Sequence, residues 1–288
     1  MLSATQRIAD RVLRRAGLFA KINRTAHCTI NGRRFALPTL NGQRADPTEA
    51  WMVEVLRRLF KTRQGPFVDV GVNLGQTLLK VAALDPQRRY IGFEPNPSCV
   101  SYAEKLIAAN GLSQCSLVPV GLSRTAGIVT LDLFSGTDTD SAASIVPNFR
   151  PEQKVSFRKN VAVLSARELP AELLPAGIAV VKIDVEGAEL DVLEALLPIL
   201  QRDRPLVVME ILPCYSAENT DRIARQNRLQ ALLAENDYRL FRISTDHGTA
   251  VTEIDDIGIH GDMDRCDYIA CPAADLDAVR DAFKDGRP

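Results

Sequence analysis

The sequence lacks several features that would settle its class at once. Its six cysteines (Cys28, Cys99, Cys115, Cys214, Cys266 and Cys271) make no C-x-x-C pair and mostly fall inside or beside apolar runs. That argues against a zinc site and predicts reduced, buried thiols, no metal centre and a cytoplasmic setting. No run reaches the roughly 18 to 20 apolar residues of a membrane span, and the N-terminus lacks the apolar core and small-residue cleavage site of a secretory leader. Neither charge sign dominates, with 35 Lys and Arg against 36 Asp and Glu, so the global balance carries no nucleic-acid footprint. What is present, 46% hydrophobic residues over 288 positions, suits a packed α/β domain with an extra piece.

The centre of the chain is Pro66 to Leu84, PFVDVGVNLGQTLLKVAAL, answered by GFEPN at Gly92 to Asn96. The apolar run 67–70 ends in the turn Gly71-Val72-Asn73-Leu74-Gly75, and residues 77–84 continue at helical spacing, so the stretch reads strand, tight turn, helix. Glu94 stands roughly 20 residues beyond the turn, at the end of the next strand, where a carboxylate can accept hydrogen bonds from both hydroxyls of a ribose. One more absence is informative. The dinucleotide fingerprint G-x-G-x-x-G needs glycine where this chain has Asn73, and that middle glycine lets backbone approach a pyrophosphate. Asp69, just before the turn, would repel phosphate and could pair with an ammonium group. A ligand with a ribose, a cation and no phosphate fits, and S-adenosylmethionine is one.

Residues 1–25 carry Arg7, Arg11, Arg14, Arg15, Lys21 and Arg24, with apolar residues interleaved at approximately helical spacing. Two readings stay open: peripheral contact with an anionic membrane, or a helix packed on its own domain or a second subunit. Asn31-Gly32 between β-favouring residues predicts a hairpin. Asp46-Pro47-Thr48-Glu49 predicts a helix start, which divides the chain into an N-terminal helix and hairpin (1–45) and the main domain (46–288). Asn96-Pro97 and Asn110-Gly111 bracket another helix. Strands are expected at 116–120, with Ser123 in the following turn beside the crevice, and at 128–134 and 155–164, paired across a Ser/Thr/Asp/Gly-rich loop, 135–151, that reads as a lid, a recognition loop or a disordered insertion. Residues 179–183 and 204–212 read as buried parallel strands. Asp69, Glu94, Asp184 and Glu210 would then all face the carboxyl rim, where such sheets bind ligands. His247 and His260, in an acid-rich irregular stretch, have no spacing that ties them into a site.

DVGVNLGQT, GFEPNP, KIDVEGAE and PLVVMEI, in that order, resemble the FkbM family of S-adenosylmethionine-dependent methyltransferases over roughly residues 51–215. The resemblance implies the class I methyltransferase fold: a Rossmann-like, doubly wound, mainly parallel seven-stranded sheet with one antiparallel strand near the C-terminus. It maps the cofactor loop onto Asp69, Gly71, Asn73, Gly75 and Thr77, the ribose acid onto Glu94, and the acid after the fourth strand onto Asp184. Glu186 is a candidate for either helix capping or catalysis, and Glu210, His247 and His260 stand behind Asp184 as candidate bases. Where the family often has T-L-D, this chain reads VLSAREL. The implied reaction is O-methylation of a sugar, glycan or natural product. The rivals are a non-catalytic binding module and a nicotinamide-dependent oxidoreductase.

Overall fold

The computed structural model describes residues 2, 4–245 and 248–284. Its framework is one eight-stranded sheet, ordered β12-β11-β13-β10-β9-β3-β4-β5. Strands β3 (Phe67–Val70), β4 (Tyr90–Phe93), β5 (Cys115–Val118), β9 (Val180–Ile183) and β10 (Leu206–Glu210) run parallel. β13 (Asp267–Pro272) is antiparallel to β10 and to β11 (Tyr238–Ser244), and β11 is antiparallel to β12 (Ala250–Ile254). This is the class I methyltransferase topology with one edge strand added. Eight strands therefore replace the expected seven, and two rather than one run against the parallel set. β12 carries no apolar alternation because no residue of it is fully buried, so residues 250–254 read as irregular.

Each parallel strand is buried on both faces, which its unbroken apolar run requires. Phe67 faces the side covered by α2 (Ala50–Thr62), α3 (Gln76–Leu84), α4 (Pro97–Asn110) and α8 (Leu276–Ala282), while Val68 and Val70 face α5 (Glu189–Ala195), α6 (Leu197–Asp203) and α7 (Thr220–Glu235). The hairpin β1 (Arg24–Ile30) and β2 (Arg33–Thr39) turns at Asn31 and Gly32, both at positive φ as a two-residue turn demands. Its Ala26, Cys28, Phe35 and Leu37 join the first of these cores. α4 starts and stops as expected: the Asn96 side chain accepts from Ser98 N, and Gly111 ends it at φ 59°. α2 does not start at Asp46, whose carboxylate is taken by Arg44 (2.5 Å); the helix begins at Ala50. Between β9 and β10 the chain forms two helices, α5 and α6, with Pro198 in the first turn of the second.

A small sheet, β6 (Gly121–Leu122), β8 (Phe157–Leu164) and β7 (Gly127–Leu133), sits beside the main one. β7 and β8 pair antiparallel from Gly127↔Val163 to Leu133↔Phe157, so they hold the two ends of the loop 134–156 together.

Candidate active site

β3 and β9 are neighbours whose onward connections leave in opposite directions along the sheet, so their carboxyl ends part. A cleft of about 380 Å³ opens there, within the ~300–1,000 Å³ of small-molecule sites. The turn after β3 closes one wall. Gly71 has φ 88°, and a Cβ there would lie 1.9 Å from the Asp184 carbonyl oxygen, so glycine lets the ends of β3 and β9 meet. Every amide of the turn is engaged within the protein. Gly71 N and Val72 N donate to Phe93 O, Asn73 N to Glu94 Oε2 (2.8 Å), Leu74 N to Asn73 Oδ1 (2.8 Å) and Gly75 N to Val72 O (2.9 Å). No N–H of residues 71–75 is left to cradle a phosphate.

Glu94 lines the cleft and accepts from Asn73 N and Asn96 N, one amide per oxygen. Burial pushes its carboxyl up to about 7, outweighing those two bonds. Gly71, Asn73 and Thr77 also line the cleft; Gly75 does not, but caps α3 at φ 92°. Ser123 is displaced from the wall, which Gly121 and Leu122 supply while Ser123 N bonds Leu164 O.

Asp69 overturns the expectation that it meets a bound cation. Side chains alternate along a strand, so Asp69 shares the face of Phe67, away from the cleft and fully buried. It accepts from the Tyr90 hydroxyl, and Lys182, its register partner on β9, lies 3.5 Å from Oδ1, an ionic contact too long for a good hydrogen bond. Burial raises its carboxyl. The same parity brings Lys182, Glu210 and Asp267 to this side, beside Lys80 and Glu49 (2.8 Å apart), although at the strand ends Lys182 and Glu210 also reach the cleft. Burial disfavours the Lys182 charge, but Asp184 (Nζ to Oδ2 3.0 Å) and Asp69 outweigh that and raise its pKa. Burial also raises Glu210 to about 9 and Asp267 to about 7, with Asp184 adding to both and hydrogen-bonding Glu210. Asp184, Glu186 and Glu210 all border the cleft.

Glu186 does not cap a helix. α5 begins at Glu189, whose own side chain accepts from Gly187 N (2.8 Å). Glu186 instead turns into the cleft from a left-handed backbone, φ 53°, an uncommon conformation for such a residue. Arg150 donates to its Oε2, and burial, then the Asp184 charge, lifts its carboxyl to about 7. Arg150 belongs to the loop 135–151, which is ordered over the cleft. Ser144 Oγ donates to Glu186 O (2.6 Å), Asn96 Nδ2 to Asp138 O (2.7 Å), and Phe149 packs on Gly187. Asp140, Ser141, Ala143 and Ile145 thereby line the cleft. The loop's composition gave no signal of these particular contacts. His260 lies near Arg242, Arg265 and Asp262 and does not border the cleft; His247 lies outside the described residues.

The model of the methyltransferase FkbM domain matches residues 69–240, from β3 to β11. The chain belongs to the FkbM methyltransferase family. Among individual proteins, this FkbM chain is 30% identical over 156 residues to the methyltransferase sdnD of Sordaria araneosa, a match covering 45% of this chain and 60% of that protein. It is also similar to two solved structures. The methyltransferase FkbM of Methylobacillus flagellatus KT has 12% identity and a TM-score of 0.44, over 72% of this chain and 43% of that one. The O-methyltransferase TomG of Streptomyces achromogenes has 14% identity and a TM-score of 0.45, over 78% and 81%. The family's cofactor is S-adenosylmethionine, and the cleft of this FkbM chain suits it. Phe93, Leu122 and Leu131 offer apolar walls for a base and Glu94 an acceptor for ribose hydroxyls, while Asp184 and Glu186 border the cleft already paired with Lys182 and Arg150.

Proposed function

We propose that the protein transfers a methyl group from S-adenosylmethionine to a hydroxyl oxygen of a sugar, glycan or natural product. The observation that carries this reading is the turn at 71–75, whose amides are all used while Glu94 faces the cleft. That arrangement suits the ribose of a nucleoside and disfavours a pyrophosphate, which speaks against the nicotinamide alternative. When bound, S-adenosylmethionine supplies a methyl group on positively charged sulfur, open to in-line displacement by an oxygen lone pair. Glu94 would hold the ribose, and Gly71, Asn73 and Thr77 the wall beside it.

An alcohol needs its proton removed as it attacks, and a general base works best with a pKa near the operating pH. Asp184, the first choice on sequence, is engaged by Lys182 and Glu210. Glu186, lifted to about 7, has Oε2 held by Arg150, leaving Oε1 to accept the proton. We therefore assign the base to Glu186 and the positioning of the acceptor hydroxyl to Asp184. Glu186→Gln should lower kcat by about 10²–10⁴ while calorimetric titration with S-adenosylmethionine stays unchanged. Undiminished turnover of any hydroxylated acceptor by that variant would remove Glu186 from the role. Absence of cofactor binding by the folded wild type would remove the whole reading.

A further inference from the structure

Helix α1 (Ala4–Arg15) is seated the wrong way round for an ordinary surface helix. Such helices bury an apolar stripe and expose their charges, yet the one buried residue of α1 is Asp10. Its carboxylate is held by Arg24 and by the buried Arg44 (2.6 Å). Burial works against the Asp10 charge, but the two arginines outweigh it and lower the pKa. The apolar residues one turn apart on the far side, Ile8 and Val12, are 60% and 59% exposed, and Leu18 and Ile22 just beyond the helix are exposed too. Phe19, buried beneath Arg14, pins the segment between them.

Arg7, Arg11, Arg14, Arg15 and Lys21 are exposed, and Asp10 is the sole acid from residue 4 to 22. Its charge is spent inward. We propose that residues 4–22 dock the protein on an anionic lipid bilayer, with Ile8, Val12, Leu18 and Ile22 entering the headgroup boundary and the basic side chains meeting lipid phosphates. Charge complementarity and the apolar ridge together select this occupant. A nucleic acid would satisfy the arginines and leave the ridge in water. A protein face would have to match an apolar ridge fringed by long cations, whereas those side chains can snorkel to lipid headgroups. The contact is peripheral, since no helix among the described residues is long and apolar enough to cross a membrane.

The test is sedimentation of the full chain with vesicles of phosphatidylcholine alone or containing phosphatidylglycerol. We expect binding to the anionic vesicles, weakening as salt rises. Replacing Arg7, Arg11, Arg14 and Arg15 by Gln should reduce partitioning about 10²–10³-fold, from the contribution of each basic side chain near a charged bilayer. Ile8→Ser with Val12→Ser should reduce it by a factor on the order of ten or more, with circular dichroism unchanged. Equal partitioning to both vesicle types, no binding by the folded wild type, or binding insensitive to these changes would overturn the proposal. So would a dimer in solution that Ile8→Arg dissolves, because a second copy would then cover the ridge.

Discussion

The two walls of the cleft hold their acids by different means. On the β3–β4 side, Glu94 is fixed by main-chain donors, the amides of Asn73 and Asn96. On the β9–β10 side the acids answer to other ionisable side chains: Asp184 is held by Lys182, Glu186 by Arg150, and Glu210 stands against Asp184 and Glu186. Backbone donors cannot change charge, so the first wall keeps its donors fixed and only Glu94 itself titrates, near 7. The second wall redistributes protons when any member titrates, which suits the side where chemistry needs a proton taken up.

The difference can be broken most forcefully at Lys182. Lys182→Met leaves Asp69 and Asp184 without their cation, and breaking a buried pair from one side costs about 3–5 kcal/mol. Denaturant titration should show a loss of that size, and a loss below about 1 kcal/mol would mean that the side-chain wall is not held by its lysine. A smaller effect is expected on the other wall. Glu94→Gln keeps the shape but can accept from only one amide. It should cost about 1–3 kcal/mol of stability and weaken S-adenosylmethionine binding by a factor on the order of ten. Unaltered calorimetric affinity would detach Glu94 from the ribose.

Titration sharpens the comparison with the mildest perturbation. Glu94, Glu186, Glu189 and Asp267 near 7, and Glu210 near 9, all lie above their unfolded values. The native state therefore binds more protons, and the stability these groups contribute is full below the unfolded values and lost as pH rises through 7 and then 9. Tm of the ligand-free protein should therefore fall steadily from pH 6 to 9. Most of the loss should come from the side-chain wall, so Glu210→Gln should flatten the upper part of the curve. A Tm that rises over this range would contradict the direction of the shifts.

Much of this was legible in the residues. The runs 67–70 and 179–183 could only be strands buried on both faces, and Asn31-Gly32, Asn96-Pro97 and Asn110-Gly111 marked turns and helix ends through local chemistry. Glu94 was legible because its distance from the glycine turn is fixed by one strand-helix-strand unit. Asp69 was misread for want of a parity count: two residues after Phe67, it must face the same core. The edge strand β12 escaped because it buries nothing fully. The contacts that hold the loop 135–151 and Glu186 in place escaped for a different reason. They join partners far along the chain, Arg150 with Glu186 and Phe149 on Gly187, and no local pattern encodes such meetings.

The hydrogen-bonded turn at 71–75 also bears on competition inside a cell. ATP, NAD and coenzyme A all carry adenosine and are abundant, and a cleft that merely recognised adenosine would be crowded with them. Each brings phosphates that would have to take an amide already engaged, stranding a buried acceptor such as Glu94 at a cost of about 1–3 kcal/mol per lost partner. By keeping its own amides occupied, the loop can exclude the commonest adenosine compounds without any side chain devoted to rejecting them.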